Sequence, residues 1–248
     1  MNKDPETICP SITLHKMSAS YAILHIIIPF RATTQPERRG QLETLLACFQ
    51  RDLPEARVLV VEQGCARPFN RGALLNIGVL LTQCKDSDSV CLHDVDLLPH
   101  ADLLPEYTRE LCATAARHLA TKYTRYEGPD FLGGVLMMQC GVYKKVNGHA
   151  NDFWGWGGED NDMRERLRVH GLHVEPCTGG MTDLEDRTWK QKKKHLKKTK
   201  QKCRDVGRLN YWHHRHRCEQ GIHQVRWELL RSFEYYDRCT HHTVNVLP

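Results

Sequence analysis

The strongest constraint on the fold is a rhythm of short apolar runs alternating with segments whose apolar residues recur at helical spacing. Residues 21–30 (YAILHIIIPF) read as a buried strand, and residues 35–53 then place Leu42, Leu45, Leu46 and Phe49 on one helical face. RVLVVEQ (57–63) is a second strand, and the segment from Asn70 sets Ala73, Leu74, Ile77 and Leu81 on one face behind a cap-type residue. DSVCLH (88–93) is the third strand. Residues 102–120 are predicted to be helical, with an early Pro105, and FLGGVLMMQ (131–139) to return to strand. Such alternation predicts an α/β fold with a mainly parallel central sheet, helices on both faces, and ligands gathered beyond the carboxyl ends of the strands.

A chain of 248 residues with 40% hydrophobic and 26% charged side chains has the balance of a globular protein with a sizeable core, which excludes a disordered chain. One domain over 20–248 is expected, after an N-terminal tail of residues 1–19. The net charge of +5 is concentrated in a basic segment, 187–208, which reads either as a solvated helix face or as a contact for an anionic partner. Lysines alone do not make a nucleic-acid site, and none is expected. YWHHRHRC (211–218) reads as an exposed basic segment. The longest apolar run is far short of the roughly 20 residues that cross a bilayer, and the first residues lack a signal-peptide pattern, so the chain as given reads as soluble. Eleven cysteines without a CxxC or a tight Cys/His quartet do not settle the compartment.

Two short stretches carry candidate chemistry. In HDVDLLP (93–99), alternation along a strand would let Asp94 and Asp96 present two carboxylates from one edge, a hard-oxygen set suited to Mg²⁺ or Mn²⁺ carrying a diphosphate; equally, such a pair turns the chain. In NDFWGWGGEDNDM (151–163), glycines 155, 157 and 158 make a deformable loop around Trp154 and Trp156. Glu159, Asp160 and Asp162 then sit where a helix start favours negative charge, with arginines 164, 166 and 168 toward its far end. A carboxylate beside a mobile indole suits sugar chemistry: the ring packs on the apolar face of a pyranose and the acid takes the proton of an attacking hydroxyl.

These stretches, with PFR (29–31), FNRGALLNIG (69–78) and FLGGV (131–135), occur in the order and rough spacing of the β-1,4-galactosyltransferase family, which the chain resembles over residues 20–178 and again, weakly, at GRLN (207–210) and HHTVNV. The resemblance implies a GT-A type glycosyltransferase fold and inverting transfer of galactose from UDP-galactose to a glycan or glycoprotein acceptor, with Mn²⁺, or Mg²⁺, on the diphosphate. It also implies a Golgi location. Within the family, Asp186 and Trp189 followed by basic residues are most similar to the branch that galactosylates xylose on proteoglycan linkers.

Carried onto this sequence, the resemblance assigns donor binding to Pro29, Phe30, Arg31, Phe69, Asn70, Arg71, Asp94, Val95 and Gly134, with Trp156 as the loop tryptophan that closes over both substrates. Gly158, Glu159, Asp160 and position 161 would meet the acceptor, with Glu159 and Asp160 at the reaction centre and Asp160 as general base. Asp96 would ligate the metal. Three departures stand out. Asn161 replaces an acid, Thr33 replaces a second arginine after PFR, and Asp183 and Glu185 stand where the family supplies His-x-His to the metal. The last pair reads as two hard ligands or as an acidic turn without metal. These departures, with the absent anchor and the basic tail, leave a second reading open, a catalytically inactive relative that binds or scaffolds.

Overall fold

The computed structural model describes residues 22–33, 36–121, 132–155, 157–185, 191 and 219–247. In chain order the elements are β1 (Leu24–Phe30), α1 (Glu37–Asp52), β2 (Arg57–Gln63), α2 (Arg71–Thr82), β3 (Ser89–His93), β4 (Leu97–Pro99), α3 (Leu104–Thr108) and β5 (Ala115–His118). They continue with β6 (Val135–Gln139), α4 (Cys140–Lys145), α5 (Glu159–Val169), β7 (His173–Pro176), β8 (Met181–Asp183), β9 (Trp227–Tyr236) and β10 (Cys239–Val246). The N-terminal tail, the basic segment apart from Gln191, and residues 211–218 lie outside the described residues.

Eight strands form one sheet in the order β7-β5-β6-β3-β1-β2-β10-β9, and β4 pairs with β8 in a separate two-stranded ladder. The heart of the sheet, β3-β1-β2-β10, is parallel. Alternation along β1 divides the core. Ile26, Ile28 and Phe30 pack under α1 with Leu42, Leu45 and Phe49, whereas Ile27 faces α2, α4 and α5 with Leu74, Ile77, Tyr143 and Met163. Each of these side chains, buried from water, contributes about 1.5–3 kcal/mol. Helix α2 lies so close to β1 that a Cβ on Gly78 would stand 2.3 Å from Ile27 Cγ2.

The helix predicted over 102–120 is not formed. Helix α3 ends at Thr108, and residues 115–118 are a fully buried strand, antiparallel to β6 and parallel to β7. Local helix propensity loses here to two strand ladders and to Arg117, whose guanidinium donates to the carbonyls of Glu106, Arg109 and Glu110. The strand predicted over 131–139 begins only at Val135. No strand is predicted over the β9–β10 hairpin, where the sequence offers only the weak resemblance at HHTVNV, yet β10 extends the parallel sheet alongside β2. A disulfide, Cys84–Cys140, ties the end of α2 to the start of α4. Among the described residues no helix is long and apolar enough to cross a membrane.

Candidate active site

The site lies at the carboxyl ends of β1, β2 and β3, where their connections run into α1, α2 and β4. Asn70 caps α2, its side-chain oxygen accepting from the Ala73 amide at 2.9 Å, so the next residue, Arg71, enters the helix with its side chain aimed across the crevice. Arg71 Nε donates to Asp94 Oδ1 at 2.6 Å, and its Nη1 donates to Asp160 Oδ1 at 3.0 Å. One guanidinium therefore joins the segment after β3 to the first turn of α5. Burial by itself would favour a neutral Arg71, but Asp94, Asp160 and Glu159 outweigh it and hold the charge.

The carboxylates around Arg71 differ in their surroundings. Burial, with Asp96 and Asp160 adding repulsion against the pull of Arg71, pushes Asp94 up to about 6. Burial and the neighbouring Asp160 push Glu159 up to about 8, and its buried Oε2 atom has no hydrogen-bond partner in the structure. Asp162 is structural: it forms a buried pair with Arg166 at 2.6 Å, and Arg166 also donates to the carbonyls of Gly148 and Gln220. The helix-start acids thus divide into an arginine-paired carboxylate, a buried acid with one unpartnered oxygen and an anchor. Asn161 is exposed between them.

Gly157 and Gly158 lead into this helix at φ 96° and 108°, a backbone region that side chains with a Cβ rarely adopt. Gly155 N donates to Phe69 O at 2.7 Å, which ties the glycine run to the loop before α2. Trp156 lies outside the described residues. Arg31 sits above the Phe69 ring at 5.5 Å and donates to Arg67 O. Pro29, Phe30 and Val95 are buried, so their side chains shape the crevice from beneath rather than line it. Gly134 is buried with φ 86°, and its carbonyl accepts from the Asp94 amide at 2.9 Å.

Asp94 and Asp96 do not share a strand edge as the sequence suggests. Strand β3 stops at His93, the next three residues turn, and the two carboxylates face different arginines. The β4–β8 ladder sets Leu97 opposite Asp183, and Leu184 N donates to Asp96 O at 2.7 Å, so the backbone at Asp96 lies against the segment that carries Asp183 and Glu185. The cation among them is Arg38, whose Nη1 lies 2.9 Å from Asp96 Oδ2 and whose Nη2 lies 2.9 Å from Glu185 Oε2. Among the described residues no group of three or more His, Cys, Asp or Glu side chains is placed to hold a metal ion, and two of the three carboxylates expected to bind one are paired instead with the Arg38 guanidinium. Thr33, by contrast, is exposed.

Sequence reasoning missed four residues that support this arrangement. Gln63 accepts from the Asn70 amide at 2.8 Å and donates to Arg67 O and Pro68 O, which shapes the loop before α2. Asn76, fully buried, donates to His149 O and Asn151 Oδ1 and accepts from Tyr143 Oη and His149 N. Asn151 donates to Gly221 O, and Asn70 donates to Asn151 O, so this network holds the stretch that leads into the glycine loop. A buried asparagine inside an apolar helix pattern was the available signal for Asn76. For Arg38 the signal was an arginine in a helix's first turn, where the macrodipole disfavours positive charge.

The sheet, its helices and the carboxylate-lined crevice define a GT-A type glycosyltransferase fold. It superimposes on the catalytic domain of Drosophila β1,4-galactosyltransferase 7 in complex with xylobiose with a TM-score of 0.70 at 23% identity, over 92% of this chain and 95% of that one. A structure of that Drosophila enzyme with manganese, UDP-Gal and xylobiose gives 0.66 at the same identity, again over 92% of this chain and 95% of that one. Residues 15–107 match the N-terminal region of glycosyl transferase group 7, and residues 115–203 match a family described as the N-terminal domain of galactosyltransferase. The chain belongs to this galactosyltransferase family. It is 38% identical over 160 residues to β-1,4-galactosyltransferase 5 of Mus musculus, covering 62% of this chain and 40% of that protein. It is 35% identical over 155 residues to β-1,4-galactosyltransferase 3 of Homo sapiens, covering 60% of this chain and 38% of that protein.

Proposed function

We propose that the chain transfers galactose from UDP-galactose to a hydroxyl of an acceptor sugar in β-1,4 linkage, with inversion and with Asp160 as general base. The observation that carries this reading is the Arg71 bridge, which ties Asp94 on the nucleotide side to Asp160 on the acceptor side. Arg71 occupies Asp160 Oδ1, so Oδ2 is the atom that takes the acceptor's proton. The acceptor oxygen then attacks the anomeric carbon from the face opposite UDP. The bond to the diphosphate breaks, its electron pair leaves with UDP, and a single displacement inverts the centre.

Glu159, pushed up to about 8, is neutral at physiological pH and donates a hydrogen bond to an acceptor hydroxyl, while Asp160 serves as the carboxylate. Arg31, Phe69, Asn70 and Arg71 hold the nucleotide, and Gly134 leaves room for the donor sugar against the backbone. Trp156 closes over both sugars. Asp96, Asp183 and Glu185 would hold a divalent cation, Mn²⁺ or Mg²⁺, which when bound neutralises charge on the departing diphosphate. Gly158 and the exposed Asn161 face the acceptor, and the change from acid to amide at 161 sets which sugar is accepted. The Cys84–Cys140 disulfide supports an oxidising, luminal compartment such as the Golgi for a single catalytic domain over residues 20–248.

The test is a transfer assay with UDP-galactose against xylosides, glucosides and N-acetylglucosaminides. Asp160→Asn is expected to lose about 10²- to 10⁴-fold in kcat while keeping its affinity for UDP. A wild-type chain that neither binds UDP nor turns over with any acceptor would falsify the reading. UDP binding without turnover supports instead a non-catalytic binding role, which the hold of Arg38 on Asp96 and Glu185 favours.

A further inference from the structure

Glu62, the last residue but one of β2, stands in register with Phe30 at the end of β1, at the carboxyl edge where the crevice opens. The next residue, Gln63, donates to Arg67 O, and Arg31, which follows Phe30, donates to the same carbonyl, so Glu62 borders the side of the crevice that carries Arg31 and Phe69. One of its carboxylate oxygens is held. His241 Nε2 donates to Glu62 Oε2 at 3.0 Å, and Thr243 Oγ1 donates to the same atom at 3.5 Å. The His241 side chain is only 3% exposed: Phe233 stacks on its ring at 4.6 Å, Phe30 meets it edge-on at 6.2 Å, and Tyr235 Oη donates to its Nδ1 at 3.4 Å. The hydrogen bond from His241 holds the Glu62 carboxyl below its ordinary value against the pull of burial, and Arg39 of α1 adds to the effect, so the group is charged.

The second oxygen is left over. No hydrogen bond or ion pair among the described residues reaches Glu62 Oε1, and the side chain keeps 17% exposure, so a fixed, charged acceptor stays open to solvent at the crevice edge. A single acceptor matches a ligand edge with a single donor. The pairing edge of uracil has that form, an imide N–H between two carbonyls, whereas cytosine carries an acceptor at the same ring position. A ribose diol presents two donors, which a carboxylate with one oxygen already engaged matches less well. We propose that Glu62 is the residue that reads the base, its Oε1 accepting from the imide N–H of uracil, so that the site selects a uridine over a cytidine nucleotide. His241 is the positioning residue that fixes the carboxylate. Cytosine would set a lone pair against a carboxylate that His241 and Thr243 hold in place, and a site built to hydrogen-bond a substrate N–H rejects an analogue that lacks it. The proposal rests on the transferase reading above and adds to it the basis of nucleotide choice.

Isothermal titration calorimetry on the whole chain with UDP, CDP and N3-methyl-UDP tests it. Wild type is expected to bind UDP about tenfold tighter than either analogue or better, the range of a hydrogen bond to a charged group. Glu62→Gln is expected to bind UDP about tenfold weaker and to bring UDP and CDP within about threefold of one another, because an amide donates as well as accepts. His241→Phe keeps a ring in the stack but removes the donor to Oε2, and it too narrows the ratio of UDP to CDP affinity, which a loss of stability alone leaves unchanged. The comparison of nucleotides on wild type needs no substitution and decides the matter even where Glu62→Gln does not fold. Equal binding of UDP and CDP by wild type, or a wild-type ratio in folded Glu62→Gln, overturns the proposal. A Glu62-dependent loss seen with 2′,3′-dideoxy-UDP and not with N3-methyl-UDP assigns the carboxylate to the ribose and overturns it as well. If wild type binds no UDP, the transferase reading falls and this proposal with it, whereas UDP bound without discrimination removes this proposal alone.

Discussion

Arg71 and Asp160 meet at 3.0 Å although 89 positions separate them in the chain. The same guanidinium reaches Asp94 at 2.6 Å, so the first residue of α2 fixes the spacing between the turn after β3 and the first turn of α5. This bridge and the corner held by Arg38 are two arginine-centred clusters, and the turn from Asp94 to Asp96 joins them.

Replacing Arg71 removes the bridge at both ends. Arg71→Lys keeps the charge but cannot reach two carboxylates in one plane, so kcat/KM is expected to fall about 100-fold, or about 2.7 kcal/mol. Stability should fall by about 2 kcal/mol, less than for a wholly buried pair because Asp94 and Asp160 retain some contact with water. Steady-state kinetics and denaturant titration read the two effects separately.

Glu159 makes stability depend on pH. Its folded value is raised to about 8 from an ordinary 4.5, so between those values the folded state keeps a proton that the unfolded state has released. Stability from this group is therefore full in acid, falls as pH rises through that window by at most about 1.4 kcal/mol per unit, and levels off above pH 8. Melting curves from pH 5 to 9 should show the decline in wild type and lose that part of it in Glu159→Gln. An unchanged slope in the variant would remove the buried acid from the account.

Asn76 makes three hydrogen bonds to His149 and Asn151, in the stretch before the glycine loop, and a fourth to Tyr143 of α4. Asn76→Ala leaves Tyr143 Oη and the His149 backbone buried with fewer partners, at a cost of about 2–4 kcal/mol. Because that stretch leads to Gly158 and Asp160, KM for the acceptor should rise more than KM for UDP-galactose. Equal changes in both constants would reduce Asn76 to a stabilising role.

The disulfide between Cys84 and Cys140 closes a loop of 56 residues. The chain-entropy account of such a closure gives about 4 kcal/mol, so the paired serine variant, or the wild type under a reductant, should melt well below the oxidised protein. Both changes should leave the affinity for UDP intact, since neither cysteine touches the crevice.

Continuous apolar runs were enough to read β1, β2 and β3, and apolar residues at helical spacing to read α1 and α2, while α5 was legible from acids at its start and arginines toward its far end. The ordered motifs marked the crevice residues and the acids of α5. Strand β5 was illegible because its stability comes from β6 and β7, neither of which lies within a local window. Strand β10 was hidden for a similar reason: its neighbour β2 is far away in the chain.

The sequence by itself therefore determined the alternating α/β framework and the identity of the acids that could do chemistry. Only the tertiary structure decided their states. It gave Asp160 an arginine, left one buried oxygen of Glu159 without a hydrogen-bond partner, turned Asp162 into an anchor and set Arg38 on two of the three acids proposed to bind metal. The physical reason is range. Propensity and hydrophobic spacing act between near neighbours, whereas a carboxylate's charge state depends on burial and on cations that the fold brings from anywhere in the chain.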